Sequence, residues 1–248
     1  DVLTAAINQL VIIRAVTKVE LLYNGSDAGD YITKAVESKY ADTTLKLGYA
    51  LSPTDTTLGT VTFTSSNPDI TVNDSGVCRP VTEKGCYAEI TVTVKDYAGN
   101  IAQDKVNVAF AKNPASRAEI YPSTVTAQSV NTSPVTLTST VYSLDGSNAS
   151  IQDVTWVSEN ESVASVDQNG RLTYHDSGIA VISVYTADGN FKASASVTVL
   201  GDKSALASAI KTADDAAIEK SDYTYESYTV FEEAYNEAVE VNHSFIYS

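Results

Sequence analysis

VTFTSSNPDITVNDSG (residues 61–76) has a counterpart later in the chain, VTWVSENESVASVDQNG (154–170). Each begins by alternating β-branched or aromatic residues with polar ones, as a strand with one buried face does. Each then passes through a polar corner into a short strand that ends near a glycine. Phe63 and Trp156 hold the same place in the two copies. With Val61 and Val154 beside them in strand register, both fit the large aromatic of a buried core. The competing reading is an exposed ring that stacks on a ligand.

The alternation extends outward from both stretches. In the first copy it runs through VTKVELLY (16–23), TLKLGYALS (44–52), AEITVTVK (88–95) and KVNVAF (105–110), with a turn at DYAGN (96–100). A polar insert, 24–42, interrupts it. AKNPAS (111–116) reads as a Pro-containing linker. The second copy repeats the pattern in RAEIYPSTVTA, PVTLTSTVYSL, DVTWVSE, GRLTYHD, IAVISVYTA and ASASVTVL. Its ADGN turn (187–190) stands where YAGN stands in the first, and Asp-Gly accepts the positive φ of a tight hairpin. Two sets of about seven short strands, with turn signals every 8–12 residues, predict two β-sandwiches.

The period becomes helical at both ends. Leu3, Ile7 and Leu10 form one stripe on 2–13. After Gly201, Asp202 suits a helix N-cap, and Leu206, Ile210, Ala213 and Ala217 share a face. A second helix is predicted over 224–241, with Tyr228, Phe231, Tyr235 and Ala238 on one side. The fold class is therefore mainly β: two tandem Ig-like β-sandwiches with a short N-terminal helix and a C-terminal helical hairpin. The expected boundaries are 1–15, 16–112, 113–201 and 202–248.

The two repeated stretches resemble bacterial Ig-like domains of group 2, whose pattern is an aromatic strand, a Ser-Asn-Pro-like corner and a step to glycine. Glu161 replaces the proline in the second copy, and the first carries two cysteines and the insert. SDYTYESYTVFEEAYNEAVEV is similar to the first part of a FIVAR repeat through Tyr223, Thr224, Ser227, Tyr228, Phe231 and Ala234. VLTAAINQLV is similar to the end of one. These resemblances imply a non-catalytic accessory region of an extracellular or surface-attached protein, a carbohydrate-active enzyme or an adhesin. They also imply that the N-terminal stripe covers the C-terminal hairpin of another copy, head to tail. The partners expected are other domains of the same parent protein.

Composition narrows the chemistry. Sixteen Lys and Arg against 31 Asp and Glu give a net charge of −15, which repels nucleic-acid backbones and anionic lipid. No apolar run approaches the roughly 20 residues of a membrane span. The sequence holds no P-loop, GxSxG or HExxH, and His175 and His243 fall in different modules without a nucleophile at motif spacing. The reading is that the chain is not an enzyme.

Four weaker signals remain. Cys78 and Cys86 flank a turn that would set them on adjacent strands for a disulfide; two free core thiols are the alternative. Asp96, Asn100 and Asp104 offer oxygen ligands in one loop region and Asp27 and Asp30 in another, and calcium is the cation they suit. Most such turns bind nothing. Tyr31, Tyr40 and Tyr97 are candidates for stacking on a glycan. Lys18 and Asn107, with Glu20 near, would be the partners of an intramolecular isopeptide bond.

Overall fold

The computed structural model describes residues 13–244, so the expected N-terminal helix lies outside the described residues. The first strands are β1 (Lys18–Tyr23), β2 (Ser26–Asp27), β3 (Tyr31–Ala35), β4 (Leu45–Ser52), β5 (Leu58–Ser65), β6 (Ile70–Val72), β7 (Val77–Pro80), β8 (Cys86–Asp96) and β9 (Ile101–Ala111). They form two sheets, ordered β2-β1-β4-β7-β6 and β3-β9-β8-β5. Alternation decides which side chains go inward. On β8, Ala88, Ile90, Val92 and Val94 are all buried while Glu89, Thr91 and Thr93 are not. They meet Leu21, Leu45, Leu47, Val106, Val108 and Phe110 in one core.

The second set is β10 (Arg117–Tyr121), β11 (Thr124–Ala127), β12 (Thr138–Tyr142), β13 (Val154–Ser158), β14 (Ala164–Val166), β15 (Leu172–Tyr174), β16 (Gly178–Thr186) and β17 (Lys192–Val199). Its larger sheet runs β11-β17-β16-β13. That order repeats β3-β9-β8-β5 element for element. In both sets an early strand pairs parallel with the last one: Ile32 lies opposite Val108, and Val125 opposite Val197.

By compactness the chain divides into two units. One takes the chain through Ala118 together with Thr140–Val154 and Tyr185–Lys192; the other takes Glu119–Ser139, Thr155–Val184 and the chain from Ala193. Phe63 and Trp156 are 8% and 6% exposed, so both are core residues and the ligand-stacking reading fails. Each ring lies over a glycine with positive φ, Gly76 and Gly170. A Cβ there would come within 2.6 Å of the Leu47 carbonyl oxygen and 2.2 Å of that of Leu137. Only glycine lets the turn approach so closely.

The polar insert is not a loop. It holds β2, the parallel strand β3 and a 3₁₀ turn at Tyr40–Asp42. The disulfide expectation is also corrected: both cysteines are free and buried. Cys78 lies opposite Leu45 and Val72 in one sheet, whereas Cys86 lies opposite Phe110 in the other. Residues 81–85 carry the chain from sheet to sheet, so the two are not neighbours across adjacent strands.

Two helices follow, α1 (Ser204–Asp215) and α2 (Tyr225–His243). Asp202 acts one step earlier than expected: its carboxylate accepts the Ser204 N–H at 3.0 Å, while Lys203 occupies the cap position. Thr224 caps α2 by accepting the Ser227 N–H. The helices meet through Leu206, Ile210 and Ala213 on one side and Phe231, Tyr235 and Ala238 on the other, all half-buried. Neither helix contains a fully buried residue. Tyr235 donates to Asp214 at 2.6 Å, and Lys203 Nζ donates to the Val241 carbonyl at 2.7 Å and to the Ser244 carbonyl at the end of α2.

Candidate functional site

The predicted tyrosines do not form one surface. Tyr40 is 2% exposed, packed in the core with its hydroxyl accepting the Lys112 N–H, so it cannot stack on a ligand. Tyr31 sits on the edge strand β3, 38% exposed. Tyr97, at the β8–β9 turn, is 74% exposed.

The candidate metal ligands serve the backbone instead. Asp96 Oδ2 accepts the Val16 N–H at 2.9 Å and the Asn100 side-chain amide at 2.8 Å, while Oδ1 accepts the Asn100 N–H. Burial alone would push this carboxyl up, but these hydrogen bonds and that of Ala98 outweigh it and hold it below the ordinary value. Asp104 Oδ2 accepts the Leu21 N–H. Asp27 accepts the Gly29 N–H, closing its own turn. Among the described residues no cluster of three or more His, Cys, Asp and Glu side chains is placed to hold a metal ion.

The isopeptide arrangement is absent. Lys18 is exposed and pairs with Glu20 at 3.3 Å, and the Asn107 amide donates to the Asp30 carbonyl from the other sheet. His175 does have a serine partner that its sequence spacing concealed: Ser165 Oγ lies 2.8 Å from Nε2. The two residues come from the paired strands β14 and β15 or their ends, and the contact is solvent-exposed. It ties one strand to the next.

What the sequence did not disclose is a joint built into the first compact unit. The linker N–H of Asn113 donates to Ser150 Oγ at 2.8 Å, and the Ser150 N–H returns to the Asn113 carbonyl at 2.8 Å. Ile151, 3% exposed, packs on Ala109 and Ala111 with Tyr87 and Ala187 beside them. Gly85 lies against the same segment; a Cβ there would be 2.8 Å from both Ile151 Cγ1 and the Ser150 carbonyl oxygen. Asp188, in the β16–β17 turn, accepts the Ala115 N–H at 2.8 Å. Its other oxygen is buried without a partner. Burial raises this carboxyl, against the downward pull of the Ala115 and Asp188 N–H groups. Together these contacts hold 111–116, 150–151 and 187–188 as one packed body.

Residues 120–197 match the bacterial Ig-like domain (group 2). The match runs from within β10 to within β17. Among solved structures, the chain is similar to domains 1–6 of the surface layer protein SbsC, with 17% identity, a TM-score of 0.31, and coverage of 77% of this chain and 28% of that one. It is also similar to mouse cadherin-23 EC22–24, with 14% identity, a TM-score of 0.32, and coverage of 77% and 67%. The chain thus spans well under two thirds of the surface layer protein. No curated protein matches it in sequence.

Proposed function

We propose that the chain is a non-catalytic spacer of an extracellular, cell-surface protein, in which two tandem Ig-like sandwiches, 16–112 and 113–201, are followed by a helical hairpin of FIVAR type. The parent would be a carbohydrate-active enzyme or an adhesin, and the partners of this region its neighbouring domains. The observation that carries the reading is the joint. Reciprocal hydrogen bonds between Asn113 and Ser150, with Ile151 seated on Ala109 and Ala111, fix the linker, as a part that sets distance requires. A hinge between binding modules would leave such a linker solvated.

The experiment is a distance distribution between spin labels at Thr44 and Leu144, both exposed and both in the first compact unit. A narrow distribution that broadens in Ile151→Ser supports the spacer. A broad distribution in the unaltered chain overturns it. Tyr97, the one well-exposed ring of the three candidate tyrosines, is what the alternative reading rests on, a carbohydrate- or host-ligand-binding module. A glycan and mucin screen with and without calcium is its test: saturable binding lost in Tyr97→Ala would replace the spacer reading.

The FIVAR reading of 202–248 adds head-to-tail covering of the hairpin by the N-terminal stripe of another copy. Removing residues 1–12 should then abolish any self-association made through the hairpin.

A further inference from the structure

The edge strands β5 and β13 of the two four-stranded sheets are finished differently. On β13, Gln168 lays its side-chain amide along the strand: the Trp156 N–H donates to Oε1 at 3.1 Å and Nε2 donates to the Trp156 carbonyl at 3.0 Å. Both outward backbone groups of Trp156 are thereby satisfied, as if by another strand. Charge also brackets β13, with Asp153 before it and Glu159 after it.

On β5 the same turn carries Asp74 instead. The turns are alike in detail. Asn73 Oδ1 accepts the N–H groups of Ser75 and Val77, as Asp167 Oδ1 accepts those of Asn169 and Arg171. Asp74 is exposed and bonds to neither group of Phe63. A carboxylate has no proton to give the Phe63 carbonyl, so it cannot make the paired contact of the glutamine. The Ser66 N–H bonds to the Glu89 carbonyl. Ladder alternation therefore points the backbone N–H and C=O groups of Val61 and Phe63 away from β8, at the end of the sheet, while their side chains face the core.

We propose that β5 is an association edge, taken by β5 of a second copy in antiparallel register about Thr62. The strand suits itself. In Thr60-Val61-Thr62-Phe63-Thr64 the three threonines lie on the exposed face, and a two-fold axis at Thr62 sets Thr60 opposite Thr64 and Val61 opposite Phe63. Residues 56–68 carry no charged side chain, so two chains of net charge −15 can approach there with least repulsion. Long uncharged edges are those that natural sheets otherwise block. This goes beyond the spacer reading and does not depend on it.

Sedimentation velocity on the whole chain tests it, from about 1 µM to about 1 mM and at salt up to about 0.5 M to screen the net charge. The unaltered chain should dimerise. Asp74→Gln, which supplies the missing clamp without disturbing the core, should weaken the dimer about tenfold or more. Thr62→Glu, which sets like charges face to face, should do the same. Monomer throughout, or a dimer untouched by both substitutions, overturns the proposal.

Discussion

Asp188 reaches back from the β16–β17 turn to the N–H of Ala115, two residues before β10 begins. Asp96 does the same from the last position of β8 to Val16, two residues before β1. The two carboxylates do one job from different places in their hairpins, and with opposite electrostatics. Asp96 is surrounded by donors; Asp188 has one oxygen buried and unmatched.

That contrast fixes a pH dependence. The folded state raises Asp188 above the ordinary 3.8, so it binds that proton more tightly than the unfolded chain does. The stability Asp188 contributes is full below 3.8 and is lost as pH rises through its raised value. Asp96, held low, works the other way: its contribution is present above 3.8 and lost as pH falls. In urea unfolding, Asp188→Asn should therefore gain on the unaltered chain from acid to neutral pH, while Asp96→Asn should lose. Differences constant across pH would contradict both.

The joint should fail by packing. Ile151→Ala removes a side chain seated on Ala109 and Ala111, and is expected to cost about 2–5 kcal/mol. Gly85→Ala forces a methyl to within 2.8 Å of backbone and side chain and should cost about 1–3 kcal/mol, without any backbone strain of its own. Calorimetry of the two variants, beside an exposed control such as Thr44→Ala, measures both effects. Variants that melt with the unaltered chain would show the joint to be a loose contact.

The thiols should be silent. Burial lifts Cys78 to about 12 and Cys86 to about 11, the latter helped by Asp69, so little thiolate exists at neutral pH. Labelling by a disulfide reagent should be slow in the native protein. It should become rapid in denaturant, taking up two equivalents without prior reduction. No uptake in denaturant would mean that the pair is bridged after all.

At the end of α1, Ala217 holds a φ of 45°, where a side chain crowds the backbone. Replacing it by glycine should stabilise the hairpin by about 1 kcal/mol. Far-UV circular dichroism through the melt would show it. A loss of helix on that substitution would mean that the Ala217 side chain holds the hairpin together.

How much of this the sequence discloses depends on burial pattern. β8 was legible because every second residue is apolar and buried, as were the aromatic strands around Phe63 and Trp156. β3, YITKA, was not: it is an edge strand in which only Ile32 is buried, so the period of two has one tooth. Tyr40 looked like a surface ring because its neighbours are Lys39, Ala41 and Asp42, and burial there is set by a strand far along the chain. The joint left no local signal, since Gly85, Asn113 and Ile151 meet only in space. The glutamine clamp was equally hidden, because Gln168 reads as an ordinary turn residue until its amide is seen against Trp156.

The parallel pairing of β3 with β9 and of β11 with β17 has a mechanical consequence. In each set an early strand is hydrogen-bonded to the strand that leaves. Tension applied to the two ends of such a set acts along these strands and across their hydrogen bonds. The bonds then share the load and must yield together, where a hairpin pulled from its open end gives way one pair at a time. A chain drawn taut would load these two seams in shear once the strands that precede them, β1 and β2 in one set and β10 in the other, have given way.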